Sequence, residues 1–164
     1  MATKGVKTQL TKFYYRTGSG GTYALVAIPG VTGIPLAVPS TSKIDVTDFD
    51  STAKETIIGL ADNGTFTLAL NYLTFGQTGA AAQAAFLAQS TGAETVYIVA
   101  MADGTTAPTI DATTGVVTYH AGRSHLTFNG VFGAAGKTFS TDDAVRCTAE
   151  ITISGAITET PKSA

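Results

Sequence analysis

The sequence predicts a mainly β protein with one flanking α-helix. Apolar and polar residues alternate from Thr65 to Tyr72 and again from Val145 to Ile157, the period-two pattern of a sheet with one dry and one wet face. A single Ala-rich segment, Gly79 to Ser90, has the composition of a helix. Because 164 residues suffice for one compact core, we expect residues 1–164 to form a single domain.

The composition narrows the class of protein. Charged residues make up 13% of the chain, so much of the surface is expected to lie against partners. The formal net charge of −2 disfavours a protein that binds nucleic acid tightly. Cys147 is the only cysteine, which excludes an internal disulfide. The N-terminus does not read as a secretory signal and no run reaches membrane-spanning length. We expect a protein made and kept in a cytosol, without membrane insertion.

The first forty residues are predicted to hold one strand, Thr22 to Ile28. From Pro29 to Ser42 the spacing of the prolines leaves no room for a ladder or a helix, so an N-terminal arm or long loop is expected over about 29–42. Lys43 to Phe49 is predicted to be a strand that pairs with Thr65–Tyr72 across a long loop, about 50–63.

The helix is predicted over about 79–90, with Thr78 as its N-cap and Gly92 as its stop. We expect Phe86 and Leu87 to anchor it on the sheet. Thr95 to Met101 is apolar on both faces, which predicts a strand covered on both sides.

The last third is predicted as strands and turns. Asp103 to Gly115 is turn-rich and is expected to be a surface excursion ending in a short strand, Val116 to His120. Further expectations are a strand at His125–Phe132, a turn through Gly133–Gly136, the strand Val145–Ile157, and a disordered tail, Glu159 to Ala164.

Several motifs suggest chemistry and are incomplete. Ser51-Thr52-Ala53-Lys54 fits S-x-x-K, but the companion elements of a serine acylase are missing. Gly136-Lys137-Thr138 lacks the first glycine of a phosphate loop, and Gly122-Arg123-Ser124-His125-Leu126 lacks the second glycine of a nucleophile elbow. We therefore expect no catalytic site and no enzymatic activity.

Metal binding is disfavoured as well. His120 and His125 are the only histidines, and the lone cysteine cannot complete a zinc set. Asp45, Asp48 and Asp50 lack the EF-hand spacing and its closing glutamate. No metal and no cofactor are expected.

Two stretches around the first wet strand resemble the signature of the long-tailed bacteriophage (siphophage) tail tube, or major tail protein, family. They are Lys43-Ile44-Asp45-Val46-Thr47-Asp48-Phe49-Asp50-Ser51 and Glu55-Thr56-Ile57-Ile58-Gly59-Leu60-Ala61-Asp62-Asn63-Gly64-Thr65-Phe66-Thr67-Leu68. Gly20–Tyr23 through Val31-Thr32 is similar to the family's opening strand, and Phe128–Phe132 and Ala149–Ile157 are similar to its last two long strands. The order and spacing of these pieces extend the resemblance over nearly the whole chain.

The resemblance implies a β-sandwich or barrel-like tail tube fold with one flanking helix, six copies in a ring, and rings stacked into a tube whose inner wall is a continuous β-barrel. It implies a virion tail protein assembled in the host bacterial cytoplasm, through whose lumen the genome passes. Implied partners are further copies of the chain, a tape measure protein, and tail terminator and tail tip proteins. Some relatives append an immunoglobulin-like domain, which we do not expect here.

The resemblance also assigns surfaces. It places the strands at 43–49, 65–72 and 145–157 in the inner wall, and the expected lumen-facing residues are Thr65, Thr67, Asn71, Thr148, Glu150 and Thr152. The loop expected to order between stacked rings contains Asp50, Ser51, Lys54, Glu55 and Asp62.

Two other classes remain open from the sequence. A tube component of a contractile injection or type VI secretion machine would share this architecture. A small β-sandwich binding module, for example for glycans, is disfavoured by the absence of Trp.

Overall fold

The computed structural model describes residues 9–36, 40–50, 52–89, 91–141 and 143–163. Its elements in chain order are β1 (Lys12–Ser19), β2 (Thr22–Ile28), β3 (Val31–Gly33), β4 (Ser40–Asp45), β5 (Thr56–Asp62), β6 (Thr65–Asn71), α1 (Ala80–Leu87), β7 (Glu94–Ala100), β8 (Thr109–Ile110), β9 (Val117–Thr118), β10 (His125–Thr138) and β11 (Arg146–Thr160). The predicted class, mainly β with one flanking helix, is confirmed.

Seven strands form one antiparallel sheet in the order β2-β1-β7-β10-β11-β6-β3. The sheet is rolled up like a barrel, because its two outer strands, β2 and β3, are joined only by Pro29 and Gly30. The rings of Phe13 on β1 and Phe66 on β6 lie 6.4 Å apart, whereas four strand spacings in a flat sheet would separate these strands by about 19 Å. β1 and β7 therefore lie across the barrel from β6 and β11.

An aromatic core fills the barrel. Tyr97 stacks between Phe13 and Phe128 with ring centroids 5.7 Å away on each side. Gly130 on β10 leaves room for this stack, since a Cβ there would lie 2.8 Å from a methyl carbon of Ile151 and 3.0 Å from the Tyr97 ring. The alternating apolar residues of β6 and β11 supply the far wall of the core, namely Phe66, Leu68, Leu70, Cys147, Ala149, Ile151 and Ile153.

The helix α1 packs between the end of β2 and the end of β6. Phe86 is fully buried and its ring lies 5.2 Å from that of Tyr15 and 5.6 Å from that of Phe132. Buried Gln83 donates to the carbonyls of Pro29 and Asn71 at 3.1 and 2.8 Å. It also accepts from the Leu73 amide at 2.8 Å, so one side chain holds three segments together.

The predicted helix limits need correction. The helix spans Ala80–Leu87, and its N-cap is Gly79 with φ 84° and no side-chain capping bond, so Thr78 does not cap it. A positive φ favours glycine, and the Gly79 backbone also packs tightly on Pro29. Ser90, the predicted last residue, lies outside the described residues; Gly92 follows with φ 87°.

An excursion covers one side of the barrel exterior. β8 and β9 pair within residues 103–120, where the surface excursion and its short final strand were predicted. Val117 and Tyr119 pack on Tyr14, Ile98 and Ala100, which point outward from β1 and β7. The apolar second face predicted for the Thr95–Met101 strand is thus covered by this excursion.

β1 and β3 both fall where no strand was predicted. β1 precedes the expected first strand, and three successive aromatic residues, Phe13, Tyr14 and Tyr15, bury both of its faces. β3 lies inside the arm predicted for 29–42 and pairs with the end of β6. Ala37 to Pro39, also part of that arm, lie outside the described residues.

The pairing predicted for the strand at 43–49 is wrong. β4 pairs with β5 in a separate two-stranded sheet, with Ile44 opposite Ile57, and β6 pairs with β11 and β3 instead. The predicted 50–63 loop is therefore mostly the second arm of a hairpin. Because β4 is outside the seven-stranded sheet, it does not share a wall with β6 and β11 within one copy.

The C-terminal third also departs from the prediction. Gly133–Gly136 is not a turn, because β10 continues to Thr138 through a bulge between Phe132 and Ala135. The tail expected to be disordered extends β11 to Thr160, and Ser163 N then donates to Ala121 O at 2.9 Å. Ala164 lies outside the described residues.

Candidate functional site

The six residues expected to face a lumen lie on one outer face of the barrel, on β6 and β11. Register places Thr67 opposite Glu150 and Thr65 opposite Thr152, and the last two hydroxyls are hydrogen-bonded at 2.8 Å. Thr65, Thr67, Thr148, Glu150 and Thr152 are exposed, while Asn71, at the end of β6, is half-buried. We call this surface the polar strip.

The neighbouring strand β10 widens the polar strip. Asn129 lies opposite Ser154 and Val131 opposite Thr152, and both face outward because Phe128, Gly130 and Phe132 point into the core. These two residues were not among those expected to face a lumen, although the alternation around Gly130 carries the necessary signal.

The charge of the polar strip is low. Glu150 forms no ion pair in the described part of the chain. Arg146 lies two residues before Thr148 on the same face of β11, and it pairs with Asp143 at 2.9 Å. The hydrogen bond from Arg146 lowers the pKa of the Asp143 carboxyl, and the same pair raises the pKa of Arg146. Hydroxyl groups therefore dominate a face whose one free-standing charge is negative.

Two strand segments leave hydrogen-bonding edges open. β6 pairs with β11 only as far as Thr152, so residues 154–160 of β11 have no strand on that side, where the Gly155 carbonyl accepts from Asn63 Nδ2. β7 pairs with β10 only as far as Val131, so residues 134–138 of β10 are also paired on one side. Among the described strands, none adds to either edge, and unpaired edges of this kind invite pairing with another chain.

The residues expected to mediate stacking lie on the β4–β5 hairpin and its tip. Asp45 accepts from Thr47 N at 3.1 Å and Thr47 Oγ1 at 2.6 Å, and it binds Lys54 Nζ at 3.1 Å. These hydrogen bonds, those from Thr47 foremost, lower the pKa of the Asp45 carboxyl. Glu55 N donates to Thr47 Oγ1 at 2.9 Å, so the two arms are tied together at the tip.

Three other predicted stacking residues need placing. Asp50 N donates to Asp48 Oδ1 at 3.1 Å in the tip. Asp62 ends β5 and accepts from Gly64 N at 2.8 Å. Ser51 lies outside the described residues.

Exposed apolar side chains on the hairpin were not anticipated from the sequence. Every described strand residue of the hairpin except Gly59 is exposed, and Leu60 and Ile58 expose 92% and 70% of their surface. The other members of the set are Ile44, Val46, Phe49 and Ile57. Their run in the sequence suggests a buried segment, and only the tertiary structure reveals that no other described part of this copy covers them.

The residues of the incomplete motifs have structural roles. Ser124 Oγ donates to Asp103 at 2.5 Å and accepts from Lys162 N at 2.8 Å. Buried Arg123 donates to the carbonyls of Leu10 and Ala100 at 2.9 and 2.8 Å. Gly136 to Thr138 form the end of strand β10, and Lys54 pairs with Asp45.

The two histidines are not combined into a ligand set. His125 is fully buried with its ring 5.3 Å from that of Tyr119, whereas His120 is exposed. The described residues contain no group of three or more His, Cys, Asp or Glu side chains arranged to hold a metal ion. They also contain no helix long and apolar enough to cross a membrane.

Comparison with known proteins gives one family. The family model described as phage tail tube, TTP, lambda-like matches residues 4–163. Among solved structures, the chain is similar to one from the anti-feeding prophage baseplate, determined by cryo-electron microscopy with sixfold symmetrisation, at a TM-score of 0.52 and 10% identity over 100% of both chains. At that identity the similarity shows the fold alone. No curated protein matches the sequence.

Proposed function

The chain belongs to the lambda-like family of phage tail tube proteins, and from this premise we propose that six copies close into a ring and that rings stack into the tail tube. The tube would conduct the genome into the host. The observation that carries this proposal is the polar strip, an exposed sheet face rich in hydroxyls with one free-standing negative charge.

The polar strip suits the lumen of a DNA conduit. Hydroxyl groups keep the wall hydrated, and Glu150 repels phosphate, while the nearby cation Arg146 is already paired with Asp143. DNA beside such a wall would move without being held. In this arrangement Thr65, Thr67, Asn71, Thr148, Glu150 and Thr152 line the channel.

The open edges of β10 and β11 support ring closure. They belong to opposite sides of one long β-hairpin, so residues 134–138 of one copy can pair with residues 154–160 of the next. Such an interface joins two different patches, and a heterologous interface generates a ring when its rotation closes. Closure removes the edges and makes the inner wall one continuous sheet.

The β4–β5 hairpin is the element we assign to stacking. An isolated two-stranded hairpin is marginally stable in water, and this one leaves its apolar side chains exposed. Contact with an adjacent ring would cover them and order the hairpin. Asp50, Ser51, Lys54, Glu55 and Asp62 would then lie at or near the junction between rings.

We infer a structural rather than a catalytic role. The family is one of tube proteins, and the side chains in the incomplete motifs are engaged in holding strands and terminal segments. Further partners follow from a tail tube: a tape measure protein within, terminator and tip proteins at the ends, and assembly in the host cytoplasm. A contractile injection tube shares the fold but is not favoured, because the lambda-like model matches residues 4–163.

Negative-stain electron microscopy of the concentrated, purified chain tests the proposal. We expect rings or tubes of uniform width, with sixfold symmetry in class averages viewed down the axis. A folded chain that stays monomeric at every concentration, or rings of another symmetry, would contradict it.

A further inference from the structure

We propose that the β4–β5 hairpin of one copy docks on a specific apolar surface at the opposite end of the next copy. This surface, the acceptor surface, consists of Tyr72, Phe75, Ala84, Ala135, Lys137 and Phe139. The proposal rests on the proposed function, because it names the partner surface for the hairpin assigned to stacking.

The hairpin offers apolar side chains on both of its faces. Ile44 and Ile57 are directly opposite each other and share one face. Ile58 points to the other face, since adjacent side chains alternate along a strand. Leu60 follows a bulge in β5, because Lys43 pairs with Ile58 but Thr41 pairs with Ala61. The aromatic ring of Phe49 is fully exposed at the tip. A partner must therefore enclose the hairpin rather than touch one side of it.

The acceptor surface has unoccupied apolar groups of its own. Phe75 is fully exposed and Phe139 is 74% exposed. They stand on neighbouring loops, because Tyr72 N donates to Val145 O at 2.8 Å and Asn71 pairs with Arg146. A cavity of about 260 Å³ lies where these two loops leave their strands, and its lining includes Tyr72, Ala84 and Ala135.

The two surfaces are at opposite ends of β6. The hairpin is joined to Thr65, where β6 begins, and the loop that carries Phe75 follows Asn71, where β6 ends. Seven residues of strand separate these ends by roughly 20 Å. Complementary surfaces at opposite ends of one molecule associate head to tail, and where the rotation does not close they repeat along an axis. Stacked rings require this geometry.

Charge favours the same docking. Two lysines against five carboxylates give residues 40–62 a net charge of −3, and the whole chain carries −2, so all other residues together carry +1. On the acceptor surface Lys137 lies 4.1 Å above the Tyr72 ring. An acidic hairpin is thus attracted to the remainder of a neighbouring copy and repelled by other hairpins.

Cysteine cross-linking in assembled tubes tests the contact. A tagged Ile58→Cys chain is mixed with an untagged Ala135→Cys chain, assembled, oxidised and quenched with an alkylating agent; the pair Leu60→Cys and Phe139→Cys is treated in parallel. Native Cys147 stays in place because it is buried and burial raises the pKa of its thiol. We expect a mixed disulfide-linked dimer in at least one pair, at a yield tenfold or more above that with Val116→Cys, an exposed residue on the excursion.

The outcomes separate the two proposals. Tubes in which neither pair links above the Val116→Cys control would overturn the acceptor surface and leave the ring-and-tube function standing. Failure of the unmodified chain to form tubes or rings would overturn both.

A second variant avoids cysteine chemistry. Phe75→Ser with Phe139→Ser removes two exposed rings, so the monomer should keep its thermal midpoint while the yield of tubes falls at least tenfold. Val116→Ser is the matched control and should assemble normally. Tube yield unchanged by the double substitution would count against the proposal.

Discussion

The Tyr97 hydroxyl is an isolated polar group in an aromatic stack. It is fully buried and has no hydrogen-bond partner among the described residues, and burial raises its pKa, with Tyr15 nearby adding to the effect. A buried, unsatisfied hydroxyl costs about 1–3 kcal/mol. The ring stabilises the core while its oxygen opposes that gain.

We predict that Tyr97→Phe raises the free energy of unfolding by about 1 kcal/mol, because it removes the unsatisfied oxygen and keeps the stack. Tyr119→Phe provides the matched control. The Tyr119 hydroxyl accepts from Thr127 Oγ1 at 2.9 Å, so the same change there should lower stability by about 1 kcal/mol. Denaturant unfolding measures both, and a destabilised Tyr97→Phe would show that the hydroxyl has a partner.

His125 makes the fold sensitive to mild acid. Burial, and then the neighbouring Arg123, lower the pKa of its imidazole. Below about pH 6.5, the ordinary pKa of histidine, the unfolded chain binds a proton that the folded chain does not. The contribution of His125 to stability should therefore be constant above this pH and fall as the pH drops towards its lowered pKa.

We predict that His125→Leu flattens the decline in thermal midpoint between about pH 6.5 and 5. His120→Gln should leave the decline unchanged, because His120 is exposed and its substitution does not alter the buried site. A decline that persists in His125→Leu would assign it to other groups.

At the scale of the element, α1 is attached to the barrel by Phe86 as well as by the hydrogen bonds of Gln83. Phe86 meets the rings of Phe13, Tyr15 and Phe132. We predict that Phe86→Ala lowers the free energy of unfolding by about 3–5 kcal/mol, as for other large-to-small changes in a core. Phe75→Ala removes the same atoms from a fully exposed position and should change it by less than about 0.5 kcal/mol. Equal effects in thermal or chemical unfolding would contradict this assignment.

The sequence predicts those elements whose own residues alternate between apolar and polar or otherwise show a recognisable pattern. The alternation in Thr65–Tyr72 and Val145–Ile157 corresponds closely to β6 and β11, and Thr22–Ile28 is β2. β1 was not predicted, because Phe13, Tyr14 and Tyr15 are buried on both of its faces and so show no alternation of apolar and polar residues. Gly133–Gly136 suggests a turn because glycine is a turn residue, yet a bulge in a long strand also accommodates it.

Pairing and exposure are decided beyond the local sequence. Nothing local distinguishes β5 from β6 as the partner of β4, because both are apolar strands within reach of it along the chain. The polar strip could be predicted, since its residues alternate on two recognisable strands. The exposed apolar hairpin could not, because Ile57, Ile58 and Leu60 have the composition of a core segment.

At the scale of the whole molecule, the assignment of the polar strip to the lumen has a measurable consequence. Six copies of Glu150 would form a negative ring around passing DNA, and we predict that Glu150→Lys yields normal tubes but phage that eject DNA slowly. Lysines attract phosphate, and salt screens that attraction over about 10 Å at 0.1 M. The defect should therefore ease at high salt.

The control for this substitution lies across the barrel. Thr118→Lys adds a lysine on the excursion, away from the polar strip, and phage carrying it should eject DNA at the normal rate. Wild-type ejection by Glu150→Lys at low salt, or a tube map with Glu150 on the outer surface, would remove this residue from the lumen.

The excursion over β1 and β7 lies across the barrel from the polar strip. If the polar strip faces inward, the turn at Asp111–Gly115, whose aspartate accepts from Thr113 and Thr114 N at 2.8 Å each, faces the surrounding medium. A short peptide genetically inserted between these threonines would then recur once per copy, in register, along the entire tail. The virion would carry a display lattice whose spacing is set by its own architecture and whose number of sites grows with tail length.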